Sequence, residues 1–431
     1  MPSDLSPRLG RRGLMLLAAA LGAAGATAST TRPEGACATT CGDLVTEWSL
    51  AARHALAAER IGPLAAGRIL AIAHLAMHDA ANAALPRFAP YAAGPRDPGA
   101  DPSVAAAAAA HEALTTLLPG QAERFDALLA PLLDDAGPGA ARARALGVAA
   151  AQAVLATREA DGAETAVAYH PSGHVGAYRF TDAAPALEAP HWGQLRPFAL
   201  RSAAAFRVPP PPAAESAAYA RAFAEVKALG GRDSALRTEA QTRSAHFWAE
   251  PSIGAWNRIA REVVRDRAPD LWDAARLFAL LNMALADAAI ATRDSKRLHD
   301  AWRPETAIRL AGGDFNPATT ADPDWRPLLP TPASQGHPSD QAAQAAAAAL
   351  VLGRLLGEAT PFAFRSATAL PDEPERNFPS FAAAAQEAAE SRILAGAQFR
   401  YGVDDGLDLG ERVGRAVLRA RLAPVQPRYG A

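Results

Sequence analysis

The apolar run at 269–300, and the charged segment DSKRLHDAWRPETAIR that closes it at 294–309, constrain this chain most. The run predicts the longest helix in the protein. Lys296 and Arg303 stand seven residues apart. At about 100° per residue that spacing returns both cations to one helical face. Pro304 pushes its predecessor out of the helical region, so the helix should end near Trp302–Arg303. Two cations there complement a helix C-terminus, a plain dipole reading that stands beside a functional one.

Half of the 431 residues are hydrophobic and alanine is abundant, yet aromatics are only 6%. Small apolar side chains favour closely packed helices over a sandwich or barrel, so an all-α fold is expected. The formal net charge of −2 does not suggest a nucleic-acid or anionic-membrane partner.

Arg11-Arg12 precede an apolar run from Leu14 to Ala24, and Ala26-Thr27-Ala28 offers a small-residue cleavage site. Residues 1–28 therefore read as a signal peptide, and the paired arginines suggest the twin-arginine route. The run is short for a transmembrane helix, and no later stretch is expected to span a bilayer. An exported protein, periplasmic or secreted, with no integral membrane association is the expectation. Residues 29–43 are polar and turn-rich, a flexible leader. Cys37 and Cys41 could close a small disulfide loop in an oxidising compartment or remain free thiols.

Helical periodicity begins near Leu44 and marks segments at about 44–61, from Pro63 through Met77, and at 103–118, 119–133 and 139–160. His74 and His78 fall four apart beside Asp79, a spacing that suits a metal; with no third ligand evident, structural histidines are the better reading. Residues 161–212 show no sustained period and read as a long ordered covering connection. Helices resume at about 213–229, 237–248, 252–266, 269–300, 338–356, 379–396 and 404–420. No linker divides 44–431, so a single all-helical domain is expected.

The segment around Lys296, Arg303 and Pro304 matches a K-x6-R-P pattern. With LAAGRILAIAHLAMHDAANA (64–83), PHWGQLRPFAL (190–200) and QTRSAHFWAEPSIGAWNRIA (241–260), the chain resembles the vanadium-dependent haloperoxidases and type 2 phosphatidic-acid phosphatases, an acid-phosphatase superfamily. The resemblance implies two four-helix bundles with the site in the C-terminal half. It also implies vanadate or phosphate in a cage of cations, a serine hydroxyl and backbone N–H groups.

Carried onto this sequence, the first motif is intact as Lys296 and Arg303. The second, T-P-x5-P-S-G-H, becomes Thr331-Pro332, five residues, then Pro338-Ser339-Asp340-Gln341. The third, S-R-x5-H-x3-D, becomes Ser391-Arg392, Gln398 and Gly402. Lys296, Arg303, Ser339 and Arg392 are the retained oxyanion-binding candidates. Gln341 and Gln398 stand where the resemblance implies an acid–base histidine and the histidine that attacks phosphorus or ligates vanadium. A glutamine amide takes up no proton near neutral pH and is a poor nucleophile. Asp340 replaces a glycine and is expected to pair with Lys296 or Arg392 at the start of its helix. Pro171-Ser172-Gly173-His174 repeats the P-S-G-H letters, but before the Lys/Arg motif and with no helix after it, so it is a chance match.

Three readings follow. The chain is a catalytically degenerate member with a partial oxyanion cage. Alternatively it remains an active haloperoxidase or phosphatase using His337, which a shifted register would put in the second motif, or His299. Finally, it is a non-catalytic helical module binding a ligand or partner. A small oxyanion or organic substrate is the expected partner, and the oligomeric state, a homodimer included, is left open.

Overall fold

The computed structural model of the protein describes residues 41–373 and 375–425. The segment 1–28 read as a signal peptide, Cys37 and most of the expected leader lie outside the described residues. Thirteen α-helices follow in order among them: α1 Cys41–Ala58, α2 Pro63–Ala84, α3 Pro102–Leu117, α4 Ala122–Asp135, α5 Ala140–Arg158, α6 Ala217–Gly230, α7 Glu239–Phe247, α8 Ser252–Arg267, α9 Leu271–His299, α10 Pro304–Arg309, α11 Asp340–Leu356, α12 Phe381–Leu394 and α13 Arg400–Ala420. The chain is all-α. The one sheet among the described residues pairs Phe362–Phe364 with Arg376–Phe378, antiparallel.

α2, α3 and α5 pack on one another, with α1 and α4 beside them. α9, α11, α12 and α13 form the second group, and α2 joins the two by packing on α9. α9 is apolar all round because helices surround it, as expected for a central helix. It is also long and apolar enough to cross a membrane by length and composition. That corrects the expectation that no stretch after the leader reaches this threshold. Its side chains from Leu271 to Lys296 are nearly all buried within the bundle.

Glycine sets how closely α13 approaches α11. Gly402, Gly406, Gly410 and Gly414 recur every fourth residue and share one face. A Cβ at Gly410 would stand 2.1 Å from the Ala343 carbonyl oxygen, and one at Gly406 2.7 Å from that of Ser339. Only a bare backbone fits there. The close approach lets Ser339 N–H donate to Gly402 O at 2.8 Å, which ties the start of α11 to the start of α13.

The long connection 161–212 carries only short 3₁₀ turns, at Trp192–Gln194 and Ala203–Phe206. Its anchor is Asp287 of α9, fully buried, which accepts from the N–H groups of Phe198 (2.6 Å), Ala199 (2.8 Å) and Leu200 (3.1 Å). Tyr178 N–H donates to Asp300 O and Trp302 N–H to Gly176 O, so the connection also binds the segment after α9.

α9 stops earlier than the proline argument predicts. Asp300 adopts a left-handed conformation (φ 45°, ψ 35°) and its N–H donates to Lys296 O, which closes the helix at His299. Arg303 is extended (φ −88°, ψ 158°) and caps α10, with Pro304 in that helix's first turn. Lys296 and Arg303 therefore do not share a helical face. α10, six residues long, is too short to leave a periodic signal in the sequence.

Candidate functional site: a cationic cavity at the start of α11

The starts of α11 and α8, the ends of α9 and α12, and the 329–334 loop enclose a cavity of about 330 Å³. Ser339, Asp340, Gln341, Gln344, Arg293, Arg303, Arg392, Gln398 and Glu188 supply its polar lining. Leu64, Ala249, Pro251, Leu329, Pro330 and Pro332 are apolar lining residues.

Ser339 is the N-cap of α11, its Oγ accepting from Ala342 N–H at 3.3 Å. Arg303 is 1% exposed, and its own surroundings occupy it. Nε donates to Ser334 O at 2.7 Å, Nη1 to Ala397 O at 2.9 Å and Nη2 to Ser334 Oγ at 2.8 Å. Burial pulls its pKa down to about 10. Lys296 is completely buried behind the wall and donates to Gln335 O. Burial lowers its pKa well below the ordinary value, and the Asp340 carboxylate, 3.6 Å away, acts against that shift.

Arg392 differs from these. It is 6% exposed, lines the cavity, and its guanidinium makes no hydrogen bond or ion pair among the described residues. Burial, then the nearby Arg303, brings its pKa down to about 10. Gln344, also 6% exposed, likewise presents an amide with no protein partner. Buried polar groups ordinarily find partners, so two such side chains on one cavity mark a place where water or a ligand supplies them.

The two glutamines are held differently. Gln341 Nε2 donates to Trp248 O at 2.8 Å and Glu250 O at 3.2 Å. Gln398, with its amide oriented to satisfy both neighbours, donates to Gly336 O at 2.5 Å and accepts from Arg303 Nη1 at 2.8 Å. Both amides are therefore structural struts at the cavity wall.

Asp340 pairs as expected with Lys296, but its second cation is Arg293 and not Arg392. Oδ2 lies 3.6 Å from both Arg293 Nε and Lys296 Nζ. Arg293 went unnoticed in the sequence; its signal was the place one turn before Lys296 on α9. Glu188 of the long connection fixes it, with Nη1 donating to the Glu188 carbonyl at 2.7 Å and Nη2 to its carboxylate at 2.9 Å.

His337 and His299 are not among the cavity's lining residues. Their rings stand 5.4 Å apart. His337 Nε2 is 3.0 Å from Pro209 O and 3.6 Å from Asp405, and burial drives its pKa down to about 4. His299 Nε2 meets Val208 O at 3.0 Å. The structure thus withholds both imidazoles from the cavity. His74 and His78 are core residues, bonded to Leu70 O and Asp79 respectively. No group of three or more His, Cys, Asp or Glu among the described residues is placed to hold a metal ion.

Residues 276–426 match the family model of the VCPO second helical-bundle domain. Comparison with curated proteins gave no match. Among solved structures, the chain is similar to the first bacterial vanadium-dependent iodoperoxidase, with a TM-score of 0.78 and 24% identity over 91% of this chain and 99% of that one. It is also similar to a bacterial vanadium-dependent chloroperoxidase. The apo form gives a TM-score of 0.69 at 16% identity, over 83% of this chain and 94% of that one. The holo form gives 0.67 at 17%, over 83% and 92%. The chain therefore has the fold of the bacterial vanadium-dependent haloperoxidases, and its residues 276–426 match the family model of their second helical bundle.

Proposed function

We propose that the cavity binds a small tetrahedral oxyanion of the phosphate or vanadate class without turning it over. The observation that carries this reading is Arg392, a buried guanidinium lining the cavity with no partner among the described residues. Arg293, Lys296, Arg303 and Arg392 outnumber Glu188 and Asp340 around the space, so the local field favours an anion. Ser339 and Gln344 add hydrogen-bond capacity. The volume of about 330 Å³ exceeds what a bare anion fills, which leaves room for an organic substituent beside the apolar lining.

The lining does not fit a vanadium centre ligated by imidazole, because no histidine belongs to it. Gln398, at the position in question, is engaged by Arg303 and Gly336. An amide oxygen is a much weaker ligand than imidazole, and neither glutamine can act as a general acid or base. We propose further that the chain is exported, on the strength of the signal-peptide pattern at 1–28.

Titration calorimetry with phosphate tests the binding reading. Wild type should bind, and Arg392→Met should weaken binding by about tenfold or more, the loss of a charge-assisted contact. Undiminished binding by Arg392→Met would remove the reading's basis.

A further inference from the structure

Asp340 sits where an anion-binding helix start would be better served without a negative charge. Two carboxylates line the cavity, and they are not equivalent. Glu188 is bonded to Arg293 at 2.9 Å. Asp340 is not bonded so closely. Its Oδ2 has cations at 3.6 Å and the Ser334 hydroxyl at 3.5 Å, none of them a close contact, while its Oδ1 is buried and has no partner among the described residues. The side chain keeps 21% of its surface exposed. It is an acceptor with unfilled capacity, next to Ser339 on a cavity whose other free groups, Arg392 and Gln344, can donate.

A carboxylate accepts hydrogen bonds and donates none. A fully deprotonated oxyanion placed against it meets only repulsion. An oxyanion that retains a proton can turn its O–H toward the carboxylate and its remaining oxygens toward Arg392, Gln344 and Ser339. Inorganic phosphate keeps a proton throughout the neutral range, and sulfate does not. A buried polar group left unpaired by the wrong ligand is a strong basis for discrimination.

We infer that Asp340 is a specificity-determining residue that selects proton-bearing oxyanions, the hydrogen phosphate class, over sulfate. The inference rests on the oxyanion reading of the same cavity and goes beyond it, since a cage of cations alone would take either anion.

The test is calorimetry of the purified full chain with potassium phosphate and, separately, sodium sulfate, at pH 7 and matched ionic strength. Asp340→Asn and Asp340→Gly are measured alongside, with thermal melting to establish that each is folded. Wild type should prefer phosphate by about tenfold or more. Both variants should bring the ratio near one, chiefly through gained sulfate affinity. Asp340→Asn is nearly isosteric, so it reports on the charge even if Asp340→Gly frays α11. Equal binding of both anions by wild type, or an unchanged preference in the variants, overturns the role of Asp340 and leaves the oxyanion reading intact. Failure of every protein to bind either anion overturns both.

Discussion

The side-chain oxygen of Gln398 accepts from Arg303 Nη1 at 2.8 Å. The arginine of the first motif segment is thus joined directly to the glutamine of the third. The wall is a closed arrangement, and one replacement there must be accommodated by its neighbours. A Cβ at Gly402 would stand 3.2 Å from the Gln398 amide and 3.3 Å from Gly336 O. Gly402→Asp alone should therefore destabilise the protein by about 1–3 kcal/mol through overpacking, read from denaturant unfolding. Combined with Gln398→His, Gln341→His and Asp340→Gly, it should tighten phosphate or vanadate binding in calorimetry, because one charge leaves and a better ligand arrives. No gain in affinity would mean the surrounding shell no longer supports the older site.

Turnover should be absent. With vanadate, peroxide and bromide the protein should brominate no faster than vanadate alone, and phosphate monoester hydrolysis should stay at background. Acid–base groups of the lost kind each supply factors of about 10² or more. His337→Ala and His299→Ala should change nothing, since neither ring lines the cavity. Robust activity lost in either variant would contradict the binding-only reading.

Asp287→Ala should be among the most damaging single changes in α9. It strands three backbone N–H groups, those of Phe198, Ala199 and Leu200, around a side chain with no exposed surface. A loss of about 3–5 kcal/mol in urea unfolding is expected, with faster proteolysis of 161–212. A shift below about 1 kcal/mol would show that the long connection is anchored elsewhere.

Stability should fall on mild acidification. His74 is buried against Phe278, with a ring separation of 5.2 Å, and burial pushes its pKa from 6.5 down to about 4. Between those values the unfolded chain binds the proton and the folded one resists it. Its contribution is complete above pH 6.5 and declines as the pH falls towards 4. For one such histidine the full effect is on the order of 3 kcal/mol, at about 1.4 kcal/mol per pKa unit. His337 adds a drop of the same sign, and nearby Asp405, raised to about 6 chiefly by burial, opposes it at the lower end. Melting temperatures of wild type and His74→Gln across this range check the slope, which should be shallower in the variant.

Export predicts a processed terminus. N-terminal sequencing of the secreted or periplasmic protein should begin near Ser29, just past Ala26-Thr27-Ala28. An intact Met1 on exported material would sink the proposal.

Local chemistry in the sequence determined the helices. Alanine-rich periodic runs marked most of the thirteen, and the long segment into Lys296 was legible because periodicity over many residues averages out local exceptions. Of the residues singled out through the three motif segments, Arg303, Ser339, Arg392, Gln341 and Gln398 line one cavity and Lys296 does not. What the sequence did not contain was the closure of α9 at Asp300, because a left-handed aspartate is set by what packs around it and not by its neighbours in the chain. It could not distinguish Arg303, saturated by Ser334 and Ala397, from Arg392, left without a partner, since both are arginines in motifs of equal standing. Nor could it show that Arg293 and Glu188, 105 residues apart, would meet at the cavity wall while His337 paired with Pro209 O and stayed out of the lining. Those outcomes depend on which buried groups compete for which partners. That competition exists only once distant segments have been brought together, and it is the tertiary structure that resolves it.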